Sequence, residues 1–351
     1  MKLWNENVRY PELESISGIK GIKHIKIHTA KEDGYKFLLG NAIVKHRDKW
    51  YASFAHSSAG ENDNTTRVAE LISCDGENYG DYRFITGKDG EFSRSHGVYL
   101  SRNDELWFFC PKAKYEKIES YPDIRMEAYL LGEDGSYKNM GVVTDSKFWP
   151  MCKPFRMKNG NYIMAGLSAD DVAYGKAAVA VSDGENMLKW EVTELESSDF
   201  SYLWGESTVL DFGERLLLIA RSGGNRCAAV SESFDYGKTW TSMSESNLPI
   251  CQSKVYGGSL PNGEKYLIFN YDTPKDRDTL CVAVGKESFE RLYYIKKGYE
   301  EEPVYIMTHQ WSYPYAYVDG DKLYVTYNQN KENAMLSVIP LASIGAETNK
   351  K

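Results

Sequence analysis

Along most of this chain, apolar and polar residues alternate in short runs, each closed by Gly, Asn or Asp. A period of two is the pattern of half-buried β-strands, and the closing residues tolerate the left-handed backbone of tight hairpins. Residues 41–56, 96–111, 153–166, 206–221, 256–270 and 313–328 each read as strand, turn, strand. Their turns fall at Asp48, Asp104, Asn159-Gly160, Gly213, Asn262-Gly263 and Asp319-Gly320, roughly 50 to 57 residues apart. A third run follows most of them, at 67–73, 125–131, 177–182, 227–231 and 281–284, and a short fourth stretch is visible at 189–192. Six units of four antiparallel strands predict an all-β, six-bladed β-propeller. The last unit runs out near 335–340, while residues 22–27 alternate as a strand with no unit of their own. That N-terminal strand is expected to complete the last blade and close the ring. A ring has no mid-chain boundary, so residues 1–351 are expected to form one domain, against the alternative of two stacked β-domains.

Composition narrows the partners. The chain is 42% hydrophobic, 26% charged and 13% aromatic, an ordinary globular mix with extra aromatic residues. Its net charge of −8 argues against nucleic acid and anionic membrane surfaces as partners. Apolar runs fall far short of the roughly 20 residues of a membrane helix. The opening Met-Lys-Leu-Trp-Asn-Glu-Asn-Val-Arg lacks the apolar core of a signal peptide, so a cytoplasmic protein is expected. No two of the cysteines at 74, 110, 152, 227, 251 and 281 form a Cys-x-x-Cys pair, which speaks for reduced thiols and against zinc or redox motifs. Neither a metal nor a cofactor is expected.

The strand register places residues on one face of the ring. Inner strands would begin at Asn41, His96, Lys153, Glu206, Tyr256 and Tyr313, and following strands would end near His56, Lys112, Ser168, Arg221, Tyr271 and Asn328. Third strands would start beside Arg67, Arg125, Arg226 and Arg277. The expected result is a basic, aromatic funnel on an acidic protein, walled by Trp149 and Trp204. Such a funnel suits a small carbohydrate with a carboxylate, because arginine forks grip carboxylates and aromatic faces cover sugar rings. The plainer alternative is a wet channel whose residues satisfy one another.

The segment Ser233-Phe-Asp235-Tyr-Gly237-Lys-Thr239-Trp240 fits Ser-x-Asp-x-Gly-x-Thr-Trp throughout, with partial copies at Ser73-Cys-Asp75-Gly76 and at Ser182-Asp183-Gly184 with Trp190. It resembles the Asp-box, or BNR repeat, of the sialidase (neuraminidase) superfamily, and the whole chain is similar to bacterial proteins labelled exo-α-sialidase. The resemblance implies an exo-acting glycoside hydrolase. In that family a tyrosine assisted by a glutamate attacks the anomeric carbon. The resemblance assigns these roles to Tyr313 and Glu206, with Arg221 and Arg277 as carboxylate-binding arginines. It places the acid in the loop after the first hairpin, at Asp63 with Glu61 next. One departure stands out: the family's first arginine has no counterpart in Phe37-Leu-Leu-Gly-Asn41. Lys153, Tyr256, His56, Trp149 and Trp204 complete the expected substrate-binding set. His96 supports a second reading, a polysaccharide lyase or other propeller enzyme that uses His96 and a tyrosine on a uronic-acid glycan. A glycan-binding propeller without turnover is the third.

Overall fold

The protein is described here by a computed structural model. It covers residues 2–346, apart from 31–33, 62, 89–90, 116–123, 170–174, 199, 201–202 and 306–307. Six antiparallel sheets follow one another along the chain and form a six-bladed β-propeller. The first blade runs from its inner strand Phe37–His46 through Lys49–Ser57 and Arg67–Ser73 to the outer strand Gly80–Phe84. The fourth repeats this order with Leu203–Asp211, Leu216–Ser222, Cys227–Ser233 and Ser244–Pro249. In the sixth blade Trp311–Asp319, Lys322–Gln329 and Asn333–Pro340 come from the C-terminal end of the chain. Its outer strand is the N-terminal segment Lys23–Thr29, paired antiparallel to Asn333–Pro340. The N-terminal strand therefore closes the ring, as its alternation predicts, and joins residues some 300 apart in sequence (Lys23 faces Val338). A second N-terminal piece, Ser17–Gly18, adds in parallel to the outer edge of the fifth blade. Among the described residues no helix is long and apolar enough to cross a membrane.

Aromatic residues from the strands fill the space between blades. Trp50 of the first blade packs on Tyr324 of the sixth at 4.2 Å between ring centroids, and Trp190 meets Phe109 edge-on. One buried carboxylate that enters a seam is well supplied with donors. Glu70, fully buried, accepts from Tyr99 at 2.7 Å, Tyr137 at 2.8 Å and Arg83, which joins the first two blades. Much of the aromatic excess in the sequence is thus inter-blade packing.

The turn 233–240 shows why its residue pattern recurs. Asp235 accepts hydrogen bonds from the Lys238 and Thr239 amides at 3.1 and 2.9 Å and from the Thr239 and Ser233 hydroxyls at 2.6 and 2.9 Å. Gly237 takes a left-handed φ of 81°, and the Trp240 indole closes the loop on the Gly237 carbonyl. Asp75 does the same for the amides of Glu77 and Asn78. The copy at 182–184 differs: Asp183 pairs with Lys189 instead, because the chain there makes a tight hairpin with one residue fewer between Ser and Asp. Burial pushes the Asp235 carboxyl up, but these donors outweigh it and hold the group below the usual range. A carboxyl depressed in the folded state adds stability above its unfolded pKa and loses it as pH falls through the folded value. Asp235→Ala is expected to cost about 1–2 kcal/mol at neutral pH, with the difference from wild type shrinking in acid. Urea unfolding at pH 7 and in acid checks this, and a pH-independent difference contradicts it.

Candidate active site

A cavity of about 230 Å³ opens where the inner strands begin. Its floor is made by two bulged inner strands. In the fourth blade the pairing slips between Leu203 and Ser207, with Gly205 at φ 83°, and this turns Glu206 inward. In the sixth, the slip between Ser312 and Tyr315 puts Tyr313 itself at φ 53°, an uncommon backbone for a bulky residue. The two bulges bring residues 107 apart in sequence together: the Tyr313 hydroxyl donates to Glu206 Oε1 at 2.6 Å. Arg221, on the strand next to Glu206, donates through Nη1 to both carboxylate oxygens at 3.0 and 2.7 Å. Its guanidinium lies over Trp204 at 4.5 Å, and its Nε is buried with no hydrogen-bond partner. Arg277 reaches the same cavity, tied by Nη1 to Gln310 at 2.8 Å and by Nη2 to the Gln252 carbonyl at 3.0 Å. Its Nε is likewise unpaired. Burial and the charges of Glu206 and Glu61 push the Tyr313 hydroxyl well above the usual phenol range, with Arg221 opposing. At neutral pH Tyr313 therefore carries its proton, which it donates to the Glu206 carboxylate.

The remaining wall is mixed. Trp149 and Trp204 line the cavity, and the Trp149 indole donates to the His96 carbonyl at 3.0 Å. Glu61 lines it too, in an ion pair with Lys331. Asp63 does not: its carboxylate caps its own loop, accepting from the Thr65 amide at 2.8 Å and from the Thr65 hydroxyl. Phe37 and Leu39 pack against Tyr313 where the resemblance expects an arginine.

His96 sits behind Tyr313, with ring centroids 5.2 Å apart, and is covered by Trp149. Burial and the nearby Lys254 push its pKa down to about 3, so it is neutral across the physiological range and a weak base. Gly40 makes its position possible. A Cβ there would lie 2.0 Å from the His96 ring, and the glycine holds φ 69°.

Lys153 and Tyr256 lie elsewhere, in a second cavity among the halves of the inner strands that lead to the hairpin turns. The reason is local. Tyr256 opens a regular pairing with Ile268, and Lys153 falls in the gap between Trp149–Pro150 and Phe155–Arg156. Tyr256 lacks the bulge that turns Glu206 and Tyr313 to the other mouth, whereas Lys153 sits in a break of its own, where the pairing moves from Pro150–Gly166 to Phe155–Ile163. His56 also stands outside, bonded to Tyr82 at 2.9 Å and stacked on Tyr35. Of the four third-strand arginines only Arg277 reaches the cavity. Arg67 covers Phe84, Arg125 donates to the Asp145 carbonyl and Arg226 pairs with Asp272.

Two lysines escape a reading by register. Lys331 follows the second strand of the last blade at φ 56°, beyond the last residue the register assigns to the funnel. Lys254 precedes an inner strand and is buried, its Nζ donating to the Pro314 carbonyl at 2.8 Å, beside Tyr313. Neither has a motif. Only an unpaired lysine in an apolar run, Ser253-Lys254-Val255-Tyr256, hints at the second.

Six four-stranded blades in a ring make this chain a six-bladed β-propeller, with a tyrosine–glutamate pair at one mouth. The chain belongs to the BNR repeat-like domain family, whose model matches residues 98–325. Among solved structures it is similar to the Hadza microbial sialidase Hz136, at 13% identity and a TM-score of 0.72 over 92% of this chain and 69% of that one. A Dyadobacter fermentans protein of unknown function gives 12% identity and a TM-score of 0.72, covering 92% of this chain and all of that one. The Trypanosoma rangeli sialidase in complex with sialic acid gives 15% and 0.71, over 94% of this chain. The chain spans 60% of that trypanosomal protein. At these identities the likeness is one of fold. No curated protein matches the sequence significantly.

Proposed function

We propose that this protein is an exo-acting glycoside hydrolase that releases a terminal acidic sugar, with Tyr313 as nucleophile and Glu206 as its base. The observation that carries the reading is the 2.6 Å hydrogen bond from Tyr313 to Glu206 in a cavity that also holds Arg221 and Arg277. A carboxylate nucleophile would repel a carboxylated sugar. A neutral phenol that passes its proton to Glu206 as it attacks does not. Tyr313 Oη bonds to the anomeric carbon while the glycosidic bond breaks, and Glu206 takes the phenolic proton. Glu61, on the cavity wall, takes a proton from solvent as substrate displaces its ion pair with Lys331, gives that proton to the leaving oxygen, and then as a carboxylate takes one from the water that frees the sugar. Tyr313 leaves with the proton returned by Glu206. Arg277, and the part of Arg221 not engaged by Glu206, face the substrate carboxylate, while Trp149 and Trp204 flank the ring. With Phe37 and Leu39 in place of a third arginine, the carboxylate is gripped by two cations, and the sugar's opposite side meets an apolar wall.

Fluorogenic glycosides of sialic acid, of a shorter 2-keto-3-deoxy sugar acid and of glucuronic acid test the reading. Release of a free sugar acid from at least one is expected. An unsaturated product, or binding without turnover across a broad glycan set, overturns it.

Lys254 acts as a positioning residue in this account. It holds the Pro314 carbonyl, and so the bulge that presents Tyr313, and its charge is felt by Glu206. Burial brings its pKa down to about 8, partly offset by Cys152 and Glu206. The ammonium is then lost as pH rises through about 8, and kcat should fall there with little change in KM. Lys254→Met should lower kcat at neutral pH by about tenfold and abolish that basic limb. A variant with the wild-type pH profile contradicts the role.

A further inference from the structure

The cavity holding Lys153 has no part in the chemistry above. It lies at the opposite mouth of the ring and measures about 320 Å³. The inner strands of the third to sixth blades line it, and Tyr256, Tyr266 and Tyr317 supply its aromatic surface. Tyr266 crosses the strand at Gly258, where a Cβ would sit 2.5 Å from its hydroxyl, so that glycine lets the ring lie flat along the wall. Lys153 enters this space with its Nζ 4.6 Å from the centroid of Tyr317.

Among the described residues Lys153 has neither an ion pair nor a hydrogen bond; its contact is with the Tyr317 ring. The other charged residues of the wall are already engaged. Arg156 pairs with Glu185 at 3.0 Å, and Asp211 accepts from the Gly213 amide at 2.6 Å. Burial alone lowers the Lys153 pKa, and no acid offsets it. A partly buried cation without a counter-charge is costly, and proteins normally pair such groups. An aromatic-walled space with one unpaired ammonium is complementary to an anion carried on a ring. Asp211 at the wall disfavours a second negative charge. One lysine, without an arginine fork, offers a point charge to a carboxylate.

We infer that this second mouth of the propeller is a binding site for a small ring-bearing monocarboxylate, with Lys153 as its counter-charge and Tyr256, Tyr266 and Tyr317 as its walls. Two sources share this chemistry, a sugar acid and a carbocyclic acid. The tyrosine hydroxyls favour the first.

Calorimetric titration of the full chain with sodium glucuronate tests this, with cyclohexanecarboxylate, acetate and inorganic phosphate as further arms. To separate the site from the Tyr313 cavity, the titrations are run in an Arg277→Met background. Glucuronate binding should persist in Arg277→Met, weaken by about tenfold or more when Lys153→Met is added, and return with Lys153→Arg. Tyr317→Leu in the same background should weaken it by about threefold, an independent check should Lys153→Met not fold. Cyclohexanecarboxylate stronger than glucuronate would assign the site to a carbocyclic acid. Acetate as strong as glucuronate, or phosphate stronger than either, overturns the ring-bearing monocarboxylate. Complete loss of binding in Arg277→Met alone, or none caused by Lys153→Met, overturns the second site.

Discussion

Tyr313→Phe should reduce kcat by about a thousandfold or more while leaving KM within a few-fold of wild type. The variant keeps the aromatic ring between Phe37, Leu39 and His96 and removes one oxygen. It deletes the proposed attacking atom and the donor at 2.6 Å from Glu206, so binding by Arg221 and Arg277 should survive and bond formation should not. The loss of one hydrogen bond to a buried carboxylate costs about 1–3 kcal/mol, small for a ring held by six blades. Steady-state kinetics with whichever glycoside the wild type cleaves, alongside thermal unfolding, separates the two effects. A folded variant that turns over at the wild-type rate removes Tyr313 from the chemistry.

Arg221→Met is expected to have the largest effect on stability. Arg221 and Glu206 are 8% and 4% exposed, and the arginine satisfies both carboxylate oxygens. Removing one partner of such a pair leaves a charge that burial penalises, at about 3–5 kcal/mol. Glu206→Gln together with Arg221→Met should be less destabilising than the two single changes added, because the stranded charge is gone. Denaturant unfolding of the four proteins measures this coupling, and strict additivity contradicts the pair. Arg277→Met should be milder for stability, since its partners Gln310 and the Gln252 carbonyl are neutral, and should act mainly through KM.

The sequence carried the architecture because strands alternate with a period of two and hairpins need residues such as Asn159-Gly160 and Gly263, whose left-handed φ of 93° and 87° the glycines supply at Gly160 and Gly263. The missing outer strand was legible for the same reason, since Lys23–Thr29 alternates without neighbours of its own. Tyr313, Glu206, Arg221 and Arg277 meet in one cavity, and counting from the turns locates the first two correctly. The same count misplaces Lys153 and Tyr256, because it assumes that every inner strand keeps the same register. Bulges at Gly205 and Tyr313 break that equality, and a bulge on a non-glycine residue leaves no mark in the sequence. Asp63 and Glu61 lie two residues apart in one loop, and only the hydrogen bonds to Thr65 show which of them is turned away from the cavity. Lys254 left only a faint mark, because its hydrogen-bond partner is a carbonyl sixty residues along the chain.

Mass spectrometry reads the proposed covalent bond between Tyr313 and the sugar directly. A fluorinated sugar-acid donor with a good leaving group, matched to the substrate, slows breakdown of the intermediate more than its formation. Incubation followed by proteolysis should place the mass of one sugar on the peptide bearing Tyr313, with no label in Tyr313→Phe. A label on another residue, or steady turnover of the donor with no labelled peptide in rapidly quenched samples, would contradict the account.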